Sequence, residues 1–169
     1  ESKFGKYKIG NISELTCFSF YVTKNIVTGE GGMVTTNDSK LAKELRIRSL
    51  HGISKDAWER FSESGYSHYE TIYPGYKYNM MDLQASIGIH QLKKVGVFHN
   101  KREKFWKIYN DAFKSYDELI IPQEQNYILH ARHLYTLLIK PEMLKIDRDQ
   151  FIAELKKRNI GSGVHYTAL

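Results

Sequence analysis

The chain has 169 residues, enough to bury a core without disulfide or metal staples. Aromatic residues make up 13%, which excludes a disordered chain, and the single Cys17 excludes an internal disulfide framework or a cysteine-built zinc site. The 25 Lys and Arg exceed the 19 Asp and Glu by six, and evenly so: 13 against 10 up to residue 100, and 12 against 9 beyond it. A nucleic-acid face would concentrate such charge, whereas a modest, spread basic field suits an anionic small molecule. No apolar run reaches the length of a membrane span and no signal-peptide pattern opens the sequence, so the expected location is cytoplasmic.

In chain order, Glu1 to Leu15 is polar, Lys-rich and carries Gly5 and Gly10, which predicts loop. Cys17 to Val22 is dense in aromatic and β-branched residues and predicts a strand. A turn over Thr28-Gly29-Glu30-Gly31-Gly32 leads to a second predicted strand, Met33 to Thr36. Asn37 or Asp38 can cap a helix with Leu41, Ala42 and Leu45 that stops before Gly52. Residues 53–76 lack helical period and are rich in Tyr, Ser and Gly, as in a functional loop or partial hairpin. Asp82 can cap a helix with Ala85, Gly88, Ile89, Leu92 and Val95 on one stripe, and Phe105 to Tyr116 predicts another helix. A strand over His133 to Ile139 follows, then a helix capped by Asp147 and ended near Asn159 and Gly161, then a strand start at Val164-His165-Tyr166. The order β-β-α-α-α-β-α-β indicates α/β or α+β, with a change of module near residues 115–122.

Lys24 is the first candidate for chemistry. It follows a predicted strand and precedes a glycine turn, so its amine emerges at a strand end, where α/β folds place reacting groups. A lysine in partly apolar surroundings loses ammonium character, and the neutral amine condenses with an aldehyde or ketone. Ser19, five residues earlier, offers a hydroxyl that can donate to a phosphate. On spacing alone, a solvated loop lysine is the better reading of Lys24, since lysine is mostly exposed.

The words around Lys24 add to this. Cys17-Phe18-Ser19-Phe20-Tyr21-Val22-Thr23-Lys24-Asn25 and Gly29-Glu30-Gly31-Gly32-Met33-Val34-Thr35-Thr36 closely resemble the pyridoxal-phosphate (PLP) segment of the DegT/DnrJ/EryC1/StrS sugar aminotransferases. The resemblance continues at His51-Gly52, Gly75-Tyr76-Lys77-Tyr78-Asn79-Met80-Met81-Asp82-Leu83-Gln84-Ala85, Gln91-Leu92-Lys93-Lys94, His133-Leu134-Tyr135 and Val164-His165-Tyr166, in the family's order. It implies an α/β fold of the fold-type I PLP-dependent transferase class. Residues 1–116 are then the later part of the large domain, and 117–169 an incomplete small C-terminal α+β domain. It implies transamination of a nucleotide-linked keto sugar with glutamate as amino donor, in a homodimer with shared active sites. Lys24 matches the Schiff-base lysine, which also serves as acid/base, and Ser19 matches the phosphate-binding serine. Because the lysine is present, transamination is favoured over the dehydration of relatives that replace it.

The match departs from the family at one phosphate contact. Many members carry Asn at the position of Lys77, an Asn that reaches a neighbouring subunit's cofactor phosphate, and Arg at the position of Asn79. Lys77 can bind phosphate as a point charge, with Asn79 as the second candidate. The Gly-Tyr-Lys-Tyr-Asn word is similar to that of the branch making 4-amino-4-deoxyarabinose nucleotides, without fixing the sugar. His165, Tyr166 and His133 match positions near the substrate, although local packing explains each as well. Family members are longer: the ring-stacking aromatic and the Asp that pairs with the pyridine nitrogen are expected upstream of Glu1, so the chain reads as an internal piece.

Other signals carry less. His130 and His133 lack a third ligand nearby, so no metal is expected. His51 reads as a helix C-terminal residue. Trp58, Phe61, Tyr66, Tyr69 and Tyr73 could stack bases, but read better as an insertion near substrate or interface. The competing readings are a noncatalytic PLP-fold sensor or scaffold, a PLP-dependent sugar dehydratase and, more weakly, a nucleic-acid-binding module.

Overall fold

The computed structural model describes residues 1–54 and 70–166. They form a mixed α/β structure in two compact units, Glu1–Phe98 with Tyr127–Ala131, and His99–Asn126 with Arg132–Leu169. Among the described residues no helix is long and apolar enough to cross a membrane.

The first unit opens with strands β1 (Lys3–Phe4) and β2 (Tyr7–Lys8), where the sequence predicts loop. Each is two residues long, too short to show alternation. Gly5, at φ +55, turns the chain between them. Strands β3 (Thr16–Ser19) and β4 (Gly32–Thr35) form an antiparallel hairpin with Cys17 opposite Val34 and Ser19 opposite Gly32. The strand predicted over Cys17–Val22 ends early: the Phe20 amide still donates to the Gly31 carbonyl at 2.8 Å, but from Tyr21 the chain turns, with the Lys24 N–H donating to the Tyr21 carbonyl at 2.9 Å. Helix α1 (Ser39–Ser49) starts on Asp38, whose carboxylate accepts from the Lys40 and Leu41 amides at 2.7 and 3.3 Å. It ends where His51 and Gly52 take left-handed φ of +57 and +70.

The two helices predicted over 82–95 and 105–116 are one helix, α2 (Asp82–Phe113). The polar run His99 to Lys104 interrupts the apolar pattern but not the backbone. It holds no proline, and Gly96 alone costs only about 1 kcal/mol against Ala. Asp82 lies in the first turn and does not cap; the Met81 carbonyl accepts the Ala85 amide at 2.9 Å. The covered stripe also differs: Ala85, Gly88 and Val95 are half-buried as predicted, whereas Ile89 and Leu92 are exposed at 58% and 61%.

After α2 come β5 (Leu119–Ile120), β6 (Ile128–Leu129) and β7 (Leu138–Ile139). β6 returns to the first unit and completes a sheet of order β2–β1–β6, while β5 pairs antiparallel with β7. The strand predicted over His133–Ile139 is therefore confined to its last two residues. Upstream of them, Arg132 and Tyr135 direct their side chains to α2 residues, and only Leu138 and Ile139 meet a neighbouring strand. Helix α3 (Arg148–Lys157) carries a reciprocal capping box, Asp147 with Gln150, and is followed by Asn159 at φ +58. No strand forms at Val164–Tyr166.

Candidate functional site

Ser19 and Lys24 belong to one turn. Ser19 ends β3 and is exposed; its Oγ accepts from the Tyr21 amide at 3.3 Å, which leaves its own O–H to donate outward. Lys24 is half-buried in the loop between β3 and β4, and no described residue pairs with its Nζ. The neck of this loop is closed by Phe20, whose N–H donates to Gly31 and whose carbonyl accepts from the Thr28 amide at 3.0 Å. Thr28 is 3% exposed, and its hydroxyl donates to the Glu30 carbonyl at 2.7 Å. The glycines are there for space. A Cβ on Gly31, at φ +148, would stand 2.6 Å from Thr28 Oγ1 and 2.8 Å from Met80 Cε. A Cβ on Gly32 would stand 2.8 Å from the Phe18 carbonyl oxygen.

Lys77 and Asn79 lie on an extended segment in front of α2. Its side chains alternate: the Tyr76 and Tyr78 rings stack on one side at 4.8 Å, and Lys77 Nζ donates to Asn79 Oδ1 at 2.5 Å. With the Asn79 oxygen accepting, the remaining ammonium hydrogens and the Asn79 amide hydrogens make a group of donors only, suited to a phosphate. Arg48 and Ser49 hold the segment by accepting the Tyr76 and Tyr78 amides at 2.7 and 2.9 Å, and Arg48 also lies over the Tyr73 ring at 4.6 Å. No described hydrogen bond joins Lys77 or Asn79 with Ser19 or Lys24. The link between the two segments runs through Met80, beside Gly31, and through Gln84, whose Nε2 donates to the Glu30 carbonyl at 2.9 Å. Sequence reading passes over Thr28 and Gln84; the second stands inside a quoted family word, which was the available signal.

The remaining candidates lie in the second unit. His133 is half-buried. Its neighbour Tyr135 packs edge-on against Trp106 and Tyr109 and donates its hydroxyl to Asn110 at 2.8 Å; burial raises its phenol above the ordinary value. Arg132 lies over Trp106 at 4.6 Å and pairs with Glu103 and Glu124 at 2.7 and 3.0 Å. His165 and Tyr166 are exposed, their rings 3.7 Å apart. Trp58, Phe61, Tyr66 and Tyr69 lie outside the described residues. A shallow recess lined by Ile12, Glu14, Asn37 and Asp38 lies at the opposite end of the β3–β4 hairpin from Ser19, and none of the candidates borders it.

The donors present, an amine without a described partner and an exposed hydroxyl in one turn and a separate ammonium–amide pair, are of the kinds that suit a phosphate ester that also bears an aldehyde. Comparison with known proteins identifies the family. Residues 2–169 match the model of the DegT/DnrJ/EryC1/StrS aminotransferase family. The chain is 56% identical over 162 residues to the uncharacterized protein MJ1066 of Methanocaldococcus jannaschii, covering 96% of this chain and 42% of that protein. It is 46% identical over 159 residues to the spore coat polysaccharide biosynthesis protein SpsC of Bacillus subtilis (94% and 41%). It is 38% identical over 157 residues to the UDP-4-amino-4-deoxy-L-arabinose–oxoglutarate aminotransferase of Shewanella sediminis (90% and 40%). The PMP-form structure of a putative sugar aminotransferase, Spr1654 of Streptococcus pneumoniae, superimposes with TM-score 0.85 at 32% identity, over 98% of this chain and 43% of that one. The chain thus spans about two fifths of the length of the curated relatives it matches, and its fold is part of the fold-type I architecture that the sequence resemblance implies.

Proposed function

Because the chain belongs to the DegT/DnrJ/EryC1/StrS aminotransferase family, we propose that it carries the lysine end of a pyridoxal-phosphate site that aminates a nucleotide-linked keto sugar, with glutamate as the amino donor. The observation that carries this reading is the Lys24 loop: an amine without a described partner, in a closed turn directly after the outward hydroxyl of Ser19. The name of the Shewanella relative, which pairs a UDP-linked amino sugar with oxoglutarate, supports both the nucleotide sugar and the donor. In this reading residues 1–116 close the large domain and 117–169 begin the small one.

Bound PLP supplies an electron sink for the carbon that loses a proton. Lys24 Nζ would hold the cofactor, and as a free amine it would take up and release a proton at that nitrogen. Ser19 donates its hydroxyl to the phosphate. Lys77, with Asn79, contributes charge-assisted donors to a phosphate across a homodimer interface. His165 and Tyr166, both exposed, and His133 are the candidates for contact with the sugar by their match to the family words. The presence of Lys24 favours transamination over dehydration, since a proton carrier at that position is what the amine transfer requires.

The test is amine transfer by purified full-length protein from glutamate to UDP-linked keto sugars, followed as 2-oxoglutarate and amino sugar formed together. Their formation in equal amounts, lost in Lys24→Ala, is the expected result. A protein that binds PLP and transfers no amine to nucleotide-linked sugars is a sensor or scaffold, and the proposal fails.

A further inference from the structure

We propose that Gln84 is a positioning residue for Lys24, an inference that rests on the reading of Lys24 as the cofactor-binding amine. The Glu30 carbonyl has two acceptor sites and both are taken, by the Thr28 hydroxyl at 2.7 Å and by the Gln84 amide at 2.9 Å. Thr28 belongs to the neck of the Lys24 loop, where its backbone amide meets the Phe20 carbonyl. The other end of the Gln84 amide is engaged too: its Oε1 accepts from the Met81 amide at 3.1 Å, at the start of α2. One side-chain amide therefore ties the first turn of α2 to the neck of the loop that carries Lys24.

The packing around this amide points the same way. A Cβ on Gly88, one turn further along α2, would stand 3.1 Å from Thr28 Cγ2, so the helix backbone lies directly on the buried threonine. The neck closes through its own backbone bonds without help from α2. What Gln84 adds is the placement of the closed neck against the helix, and with it the placement of Lys24.

The two halves of the Gln84 amide separate cleanly by substitution. Gln84→Glu keeps the oxygen that accepts from Met81 and loses the donor to Glu30; Gln84→Ala loses both. Ser86→Asp adds the same negative charge to the same helix turn without touching Glu30. In full-length protein, PLP affinity is read by absorbance titration, and the melting temperature of the cofactor-free protein is read alongside. Loss of the bond to Glu30, which the two Gln84 variants share, predicts about three- to tenfold weaker PLP binding in both. Ser86→Asp should melt with wild type and bind PLP as wild type does, while the Gln84 variants should melt slightly lower, as loss of a hydrogen bond in the folded chain requires. The ratio of Gln84→Glu to wild-type affinity should return toward one as the pH falls, because the protonated carboxyl donates as the amide did. Gln84→Ala should show no such recovery.

Wild-type PLP affinity in Gln84→Glu overturns the proposal and leaves the aminotransferase reading standing. So does an equal loss in Ser86→Asp, which would make the effect one of charge alone. Absence of any PLP adduct on Lys24 in the wild-type protein overturns both.

Discussion

Gly52 and Gly75 meet backbone to backbone: a Cβ on Gly75 would collide with the Gly52 nitrogen, and one on Gly52 with the Tyr73 carbonyl oxygen. The Gly52 carbonyl meanwhile accepts the Ile72 amide at 2.8 Å, and the His51 amide donates to the Tyr76 carbonyl at 2.8 Å. This crossing ties the end of α1 to the segment that carries Lys77 and Asn79. It gives a physical reason for two separated words of the sequence, His51-Gly52 and Gly75-Tyr76-Lys77-Tyr78-Asn79.

Gly75→Ala forces two backbones apart and should lower stability by about 1–3 kcal/mol, as overpacking does. Gly96→Ala offers the contrast. Gly96 lies within α2 with nothing near its missing Cβ, so alanine there should raise stability by about 0.5–1 kcal/mol. Urea unfolding of the two variants is the measurement, and shifts of the same sign would contradict the packing described.

The shared-site part of the proposal rests on Lys77. Losing one charge-assisted phosphate contact should weaken PLP binding roughly ten- to a hundredfold in Lys77→Ala. Mixing Lys77→Ala with Lys24→Ala chains then decides whose site Lys77 serves. If it reaches the neighbour, the mixed dimer has one site with both lesions and one with neither, and about half of a wild-type dimer's activity returns. If it serves its own chain, each site carries a lesion and mixing restores nothing.

The Lys24 turn was legible in the sequence because it is local: a short aromatic and β-branched run, then glycines where close approach demands them. The caps of α1 and α3 were legible for the same reason, since Asp38 and Asp147 act within three residues. What escaped depended on distant partners. Lys3–Phe4 becomes strand through Ile128–Leu129, more than a hundred residues on. His133–Leu137 fails to become strand because Arg132 and Tyr135 find their partners on α2. The polar stretch His99–Lys104 suggested a break in α2, but polarity changes which face is wet and does not stop a helix. Gln84 escaped for a similar reason: nothing near it in sequence marks the Glu30 carbonyl as its partner.

Tyr135 gives the second unit an alkaline limit. Burial raises its phenol above the ordinary value, so the unfolded chain ionises first. Its contribution is fully present below about pH 10 and is lost as pH rises from there toward the folded value. Tyr135→Phe should cost about 1 kcal/mol at neutral pH through the lost bond to Asn110 and should flatten the decline above pH 10. Urea midpoints between pH 7 and 11 measure both effects, and an unchanged alkaline slope would contradict the assignment.

The central claim is that Lys24 is the amine that holds the cofactor. Full-length protein incubated with PLP, reduced with borohydride and mapped by peptide mass spectrometry tests it most directly. The account predicts a pyridoxyl group on the peptide containing Lys24, accompanied by loss of the visible absorbance on reduction, and neither signal in Lys24→Ala. A pyridoxyl group on another lysine, with Lys24 unmodified, would contradict it.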